Sequence, residues 1–350
     1  MDEKAVSLVY AASAVISIVS FVFFSRILRA LGNYWMSVIL VFLQFLFLIF
    51  LAYASSVISI VIFFVFHIVL ASLLAAALDI FVEYFSKNKD TGGIRGYFLT
   101  SGALAWVIAP SLAGFMLSNS DYWRIYLGAS VFFIPLALIL VISFRNFKDP
   151  AYESIPLYRT ILKVWRNGDI FGIFSASFVL RFFYSWMVIY TPLYLHNHLG
   201  FNWSEIGPMF TIMLAPFVLL EIPAGRLADS RYGEKEMMSL GFVIVAVATA
   251  ALSFIAVKSF WLWASLLFLT RVGAALAEIT TEAYFFKHIG SGDSNTLSFL
   301  RMTAPLALIL GPLSATVFLF FFDFRDLFLI LGAIVLFFGL YFSLRLKDTG

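Results

Sequence analysis

A short polar stretch, residues 221–235, reads EIPAGRLADSRYGEK and joins two long apolar runs, 206–224 and 237–257. It concentrates charged residues, proline and glycine between segments that contain few of them. About 20 apolar residues in a helix cross the ~30 Å hydrocarbon core of a bilayer. The stretch therefore predicts a tight turn at a membrane surface between two spanning helices.

The same alternation of apolar run and polar break extends over all 350 residues. Eleven runs are long enough to span a bilayer, and they lie near 5–24, 35–53, 57–82, 97–118, 123–144, 170–193, 206–224, 237–257, 260–284, 297–320 and 326–344. The chain is 62% hydrophobic and 12% charged, against roughly 45–50% and about 25% in soluble domains. The strict alternation typical of membrane barrel strands is missing. We predict an all-α integral membrane protein with about eleven transmembrane helices.

The distribution of Lys and Arg predicts the orientation, because cytoplasmic loops are enriched in both. With the N-terminus outside, the alternate breaks assigned to the cytoplasm contain Arg26, Arg29, Lys87, Lys89, Arg95, Arg145, Lys148, Arg159, Lys163, Arg166, Arg226, Arg231, Lys235, Lys287, Arg345 and Lys347. The outer breaks contain only Lys4, Arg124, Lys258 and Arg325. We expect a multi-pass protein of a bacterial inner membrane, with its N-terminus outside and its C-terminus in the cytoplasm.

Polar landmarks repeat between the two halves at a nearly constant offset. The corresponding pairs are Asp79 and Glu278, Glu83 and Glu282, Gly32 and Gly233, and Pro110 and Pro312. Internal repeats are typical of transporter folds. The longest break, 145–169, is polar and basic, and it predicts a cytoplasmic linker between an N-terminal lobe of five helices, 1–144, and a C-terminal lobe of six, 170–350. Because Met1 aligns with Asn202, we expect the counterpart of span 170–193 to precede Met1.

The segment Gly225–Lys235 resembles the cytoplasmic signature loop of the major facilitator superfamily, Gly-x-Leu-Ala-Asp followed by basic residues and a glycine. Gly233 lies four residues after Asp229 rather than three, and Glu234 occupies a usually basic position. The copy at 25–32 keeps basic residues and the glycine but lacks the aspartate. The resemblance implies a two-lobed helix bundle that works by alternating access on a small-molecule substrate, without a cofactor.

The resemblance also implies that this loop belongs to a gate on the cytoplasmic side. Asp229, at a helix end, can face the positive N-terminus of a neighbouring helix. The residues expected in the gate are Gly225, Arg226, Asp229, Arg231 and Gly233 of the loop, with Asp79, Glu83, Glu221, Glu282 and Arg301 at the ends of spans. The alternative is that the charged residues of the loop have no role in a gate and only satisfy the positive-inside rule for cytoplasmic loops.

Charged residues within spans mark a second candidate site, since a charge at mid-bilayer costs about 2.5–3.5 kcal/mol on insertion scales. Arg181 shares a helix face with Tyr184, and Arg271 shares one with Glu278 and Glu282. We expect Arg181, Tyr184, Arg271 and Glu278 in a cavity for substrate or ion. One alternative is that Arg181 forms a structural ion pair. The other is that the stripe of Arg271, Glu278 and Glu282 forms a ladder of ion pairs with Arg301 and Lys287.

We therefore expect a secondary active transporter, with proton-coupled efflux as one option, or a non-transporting scaffold or sensor of the same fold. An enzyme is disfavoured, because paired Asp clusters are missing and His67 has no candidate partner. The chain has no cysteine, and two histidines in an outer loop, His196 and His198, fall short of a metal site. The expected partners are a small solute, protons and the bilayer, with no nucleic acid and a monomeric state.

Overall fold

The computed structural model describes residues 3–86, 91–116, 122–152, 157–229, 233–289 and 293–347, and the described residues are almost entirely helical. Among them, nine helices are long and apolar enough to cross a membrane. The first, α1 (Glu3–Tyr53), is two helices joined at a kink at Gly32. Helix α3 (Thr91–Met116) covers residues 97–116 of the predicted span 97–118. With the two arms of α1 counted separately and α3 added, the described helices match the eleven predicted spans. The prediction of an all-α membrane protein is confirmed.

The chain divides into two compact units. The first unit comprises Met1–Phe85, Ile108–Ile161 and Gly290–Leu306. Its helices, beside α1 and part of α3, are α2 (Val57–Phe85), α4 (Tyr122–Val131), α5 (Phe133–Ser143), the start of α6 (Leu157–Arg166) and α11 (Ser294–Arg301). The predicted span 123–144 is thus two helices that meet at Phe132.

The second unit comprises Ser86–Val107, Leu162–Ile289 and Ala307–Gly350. It contains the start of α3, the end of α6, α7 (Gly168–Asn197), α8 (Trp203–Leu227), α9 (Glu234–Leu252), α10 (Phe260–His288), most of α12 (Thr303–Leu319), α13 (Asp326–Ile334), a π-helical turn (Val335–Gly339) and α14 (Leu340–Leu344). Each unit thus includes one segment from the opposite half of the sequence, 290–306 in the first and 86–107 in the second. The lobe boundaries at 144 and 170 stay a prediction.

The glycines matched by the sequence repeat have the same backbone conformation. Gly32 has φ 76° and ψ 160°, and Gly233 has φ 78° and ψ 153°. Such left-handed φ values are strained for residues with a Cβ. At Gly32 this conformation lets the first arm of α1 end and the second start with no further loop residue, which explains why the predicted break around Asn33 is so short. Gly233 is the residue from which α9 begins.

Replacing Gly32 with Ala should destabilise the first unit more than the same change at Gly200. Both glycines have positive φ, but a Cβ at Gly32 would lie 2.5 Å from Asp149 Oδ2, whereas a Cβ at Gly200 meets open space. The φ strain alone costs about 1–2 kcal/mol. Thermal unfolding in detergent should show the larger loss of Tm for G32A, and D149A in the same chain should recover part of it. Equal losses for G32A and G200A would contradict this description.

Helices α9 and α10 pack backbone to backbone at two glycines. A Cβ at Gly241 would lie 2.7 Å from Gly273 O, and one at Gly273 would lie 2.6 Å from Val245 N. The neighbouring residues Ala274 and Ala277 are fully buried. Small residues allow such close approach inside membranes. This contact fixes the rotation of α10 and therefore the direction in which its charged residues point.

Candidate functional site

Helix α10 carries the predicted stripe Arg271, Glu278 and Glu282, and the stripe faces inward. The exposed fraction is 2% for Arg271 and 3% for Glu282, and the Glu278 side chain is 13% exposed. Because buried charges require partners, the neighbouring helices must supply them.

Helix α7 supplies two partners of Glu278. Arg181 Nη2 lies 2.9 Å from Glu278 Oε1, and the Tyr184 hydroxyl donates a 2.7 Å hydrogen bond to Glu278 Oε2. Arg181 also lies 3.9 Å from Glu282. We call Arg181, Tyr184 and Glu278 the charged site. It brings together three of the four residues expected in the cavity and gives each Glu278 oxygen its own donor.

Arg271, the fourth expected residue, lies against aromatic rings. Its guanidinium carbon is 5.0 Å from the centre of the Phe183 ring and 5.5 Å from that of Tyr184. Its Nη1 is buried and has no hydrogen-bond partner among the described residues. A cation over a desolvated ring gains about 2 kcal/mol, which offsets only part of the cost of burial. Arg271 therefore retains hydrogen-bonding capacity beside the charged site.

Glu221 of α8 extends the same buried cluster. It is 2% exposed, interacts electrostatically with Glu278 and Glu282, and its Oε2 has no hydrogen-bond partner within the described ranges. Helix α3 reaches its backbone, since a Cβ on Gly96 would lie 2.8 Å from Glu221 O. Three glutamates of the second unit thus share one buried environment, which makes their charges mutually dependent.

The signature loop contacts the start of α3. Asp229 Oδ2 accepts a 2.9 Å hydrogen bond from the Gly93 backbone N–H, and Oδ1 lies 2.9 Å from Lys287 Nζ. Lys287 also pairs with Glu234. Gly93 lies in the first turn of α3, where backbone N–H groups lack helical partners and the helix dipole favours a negative charge. Asp229 thus lies at the N-terminus of α3 in the arrangement that its predicted role in the gate requires, and that role stays a prediction.

A second contact joins α3 and α8 beside this one. Arg226 donates to the Tyr97 hydroxyl, and its guanidinium lies 5.3 Å from the centre of that ring. We call the contacts of Asp229 with Gly93 and of Arg226 with Tyr97 the latch. Of the other loop glycines, Gly225 is buried in α8, and Gly233 begins α9. Arg231 lies outside the described residues.

Sequence reasoning missed Arg95, which it counted only as a loop charge. Arg95 is fully buried, with its guanidinium 3.2 Å from the centre of the Phe286 ring of α10. Its position between Gly93 and Gly96 was the one available signal, since small neighbours allow another helix to approach. Arg95 thus adds its guanidinium to those of Arg181, Arg226 and Arg271 in the second unit.

The first unit holds the other expected gate residues. Arg301 Nε lies 2.8 Å from Asp79 Oδ2, and Asp79 is 2% exposed. Glu83 is half-buried one helical turn further along α2. Arg301 and Lys287 were expected in a ladder of ion pairs with the α10 stripe. Arg301 pairs with Asp79, and Lys287 pairs with Asp229 and Glu234.

The first unit also contains a contact that the sequence did not indicate. Asp149 of the linker accepts hydrogen bonds from the Asn33 backbone N–H at 2.6 Å and from the Tyr152 hydroxyl at 2.5 Å. Burial, together with the adjacent carboxylate, raises the pKa of Tyr152. The 25–32 copy of the signature lacks an aspartate, and a carboxylate from the linker binds the helix start that follows it.

The three histidines considered from sequence make local contacts. His67 Nδ1 lies 2.6 Å from Gln44 Oε1, and Gln44 donates to the His67 carbonyl at 2.9 Å. His196 Nδ1 lies 2.8 Å from the Phe201 carbonyl, and the His198 ring packs on that of Phe324. These contacts are typical of packing and turn residues.

Comparison with known families and structures gives concordant matches. The family model described as Major Facilitator Superfamily matches residues 1–219 and 173–350. No curated protein sequence matches the chain.

Three similar solved structures share 12–14% sequence identity with the chain. The human organic anion transporter MFSD10 (TETRAN) has a TM-score of 0.74 at 14% identity, over 96% of this chain and 83% of that one. The proton:xylose symporter XylE, bound to 6-bromo-6-deoxy-D-glucose, has a TM-score of 0.76 at 12% identity, over 100% and 88%. The transporter FucP in the outward conformation has a TM-score of 0.78 at 13% identity, over 99% and 91%. At such identities the likeness establishes the fold.

Proposed function

The chain belongs to the major facilitator superfamily and has the fold of its secondary transporters, and on this premise we propose that it moves a small solute by proton-coupled alternating access. Family membership points to a transporter rather than an enzyme. The observation that carries the proposal is the partly buried charged site, in which Glu278 is bound by both Arg181 and Tyr184. We place the protein in a bacterial inner membrane, with its N-terminus outside and its C-terminus in the cytoplasm.

The charged site supports proton coupling because Arg181 and Tyr184 both bind the same carboxylate, that of Glu278. When Glu278 takes up a proton, Arg181 loses the negative charge of its partner at 2.9 Å, while Glu282, at 3.9 Å, and Glu221 stay among the carboxylates that interact with it. A guanidinium whose nearest carboxylate has lost its charge has a stronger attraction for another anion. Proton binding at Glu278 and anion binding at Arg181 are therefore linked, and each favours the other.

The latch supports alternating access. It joins α3, from the first half of the sequence, to the end of α8 and the signature loop, from the second half, by a helix-terminus contact and by a hydrogen bond from Arg226 to Tyr97. Such contacts form in one conformation and break in another. The Arg301–Asp79 pair likewise joins the two sequence halves within the first unit. In this proposal the contacts are formed when the transporter is closed on the cytoplasmic side and are broken when it is open there.

The groups around the charged site favour an organic anion that carries an aromatic body. Arg181 and Arg271 supply positive charge, and Phe183 and Tyr184 supply ring faces beside Arg271. Among the similar structures, MFSD10 is described as an organic anion transporter and XylE as a proton:xylose symporter. Aromatic anions are therefore the first class to test, with neutral sugars second.

Transport by purified protein in proteoliposomes tests the proposal directly. We expect an imposed pH gradient to drive flux of at least one of benzoate, a naphthalene sulfonate or a steroid sulfate, with D-xylose, L-fucose and tetraphenylphosphonium as probes of other classes. Arg181→Ala should raise the apparent KM for the anion by at least about tenfold, the worth of one charge-assisted contact, whereas R181K should recover part of the loss. No flux for any probe would contradict transport and favour a scaffold, and unchanged kinetics in R181A would remove Arg181 from the site.

A further inference from the structure

The linker helix α6, Leu157–Arg166, carries three kinds of surface that the transport proposal does not use. At ten residues it is about 15 Å long and too short to cross a bilayer. Its sequence, LYRTILKVWR, contains three basic residues and no acidic one. A short basic helix with a strongly apolar side is typical of segments that lie in the membrane interface.

Burial separates the faces of α6. Thr160 and Val164, one turn apart, are 0% and 2% exposed and form the packed face. Ile161, Leu162 and Trp165 are 42%, 46% and 70% exposed and form an apolar stripe on one side of it.

The basic residues occupy the remaining arc. With 3.6 residues per turn, Arg166, Arg159 and Lys163 follow one another around the helix between the apolar stripe and the packed face, with Arg166 next to Leu162. Arg159 and Arg166 are exposed, and Lys163 is half-buried. An exposed apolar stripe flanked by basic side chains matches the chemistry of a lipid surface, with acyl chains below and phosphate groups beside the helix.

Helix α6 is also tied directly to α7. Asn167, the single residue between them, accepts hydrogen bonds from the backbone N–H groups of Asp169 and Ile170, and its own N–H bonds to the Lys163 carbonyl. The Trp165 ring lies 5.0 Å from that of Phe171 on α7. The position of α6 is thus set against the end of a membrane-spanning helix, which places its apolar stripe at the depth of the interface.

We propose that α6 lies in the membrane surface and binds the headgroups of anionic phospholipids, with Ile161, Leu162 and Trp165 inserted among the lipids and Arg159, Lys163 and Arg166 beside the phosphates. This surface is distinct from the charged site and the latch. Because α7 carries Arg181 and Tyr184, bound lipid holds the starting end of the helix that contributes most of the charged site.

Site-specific fluorescence quenching tests the proposal on the full chain. Since the sequence has no cysteine, Leu162→Cys gives a unique position for a bimane label. The labelled protein is placed in nanodiscs of phosphatidylcholine that contain a minor, equal fraction of either brominated phosphatidylglycerol or brominated phosphatidylcholine. We expect brominated phosphatidylglycerol to quench the label several-fold more strongly, since one Lys or Arg near an anionic surface contributes about a fivefold preference.

Two charge-neutralised variants separate this proposal from a general attraction to the protein. In R159Q/R166Q the two brominated lipids should quench equally, and continued quenching by brominated phosphatidylcholine shows that the stripe is still in the lipid. The matched control R145Q/K148Q removes two exposed charges of the same linker outside α6 and should keep the preference. The proposal is overturned if neither lipid quenches the label, if both quench it equally in the parent protein, or if the control loses the preference as fully as the α6 variant.

Discussion

Glu278→Gln is expected to abolish accumulation of an aromatic anion driven by a pH gradient while leaving exchange of that anion in place. The amide keeps the shape of the carboxyl group but carries no charge and takes up no proton. It therefore holds the site in the state equivalent to protonated Glu278, with Arg181 available to the anion. One proton per cycle across two pH units supplies about 2.7 kcal/mol, or roughly a 100-fold concentration ratio, and E278Q should lose all of it.

The measurement compares gradient-driven uptake with counterflow of labelled anion in the same proteoliposomes. Glu205→Gln is the matched control, because Glu205 lies at the start of α8 and pairs with Lys258, away from the charged site. E205Q should behave as the parent protein in both assays. Retention of concentrative uptake by E278Q would show that protons are coupled elsewhere or not at all, whereas loss of both activities would make Glu278 a structural residue.

Asp229→Asn is expected to open the latch and to impair transport without preventing insertion. The amide still accepts the Gly93 hydrogen bond, but the charge that faces the α3 N-terminus and Lys287 is lost. A charge in a partly buried helix-terminus site contributes up to about 2 kcal/mol. At 1.4 kcal/mol per factor of ten, the latch equilibrium shifts by roughly 30-fold.

A single cysteine reports this shift. Thr100 lies on α3 in the same region as Glu221, and its hydroxyl oxygen is buried. In T100C a membrane-impermeant thiol reagent applied from the cytoplasmic side should react slowly, and D229N should raise the rate by more than tenfold. Glu236→Gln, an exposed carboxylate in the first turn of α9, is the matched control and should leave the rate unchanged. An unchanged rate in D229N, or full transport, would remove Asp229 from the latch.

Periodicity and composition suffice to predict most of this fold. The spans follow from the apolar runs. The shared backbone conformation of Gly32 and Gly233 follows from the glycines themselves, because a left-handed φ is a local requirement that glycine meets. The contact of Asp229 with a helix N-terminus was also predictable, since the signature loop has a defined physical role. The proximity of Arg181 to Glu278 was expected because buried charges within spans require partners.

Other features depend on tertiary packing that no local pattern encodes. Asp149 binds Asn33 across 116 positions of sequence, and a polar linker gives no sign that one of its acids supports a helix start. Arg95 has the composition of a loop charge and becomes fully buried only because α10 brings Phe286 against it. The partners of Arg301 and Lys287 were uncertain for the same reason, since several carboxylates lie at comparable positions along their spans.

Reversible cross-linking of the latch region tests alternating access most directly. Leu99 of α3 packs against an apolar cluster that contains Ala228 and Ile279, so L99C/A228C places two unique thiols beside the latch while all its polar groups remain. A reducible bifunctional methanethiosulfonate should stop anion flux in proteoliposomes, and cleavage with reductant should restore it. Each single-cysteine variant should retain flux under the same treatment. Undiminished flux through the cross-linked protein would show that α3 and α8 need not separate during transport. It would contradict alternating access through opening of the latch.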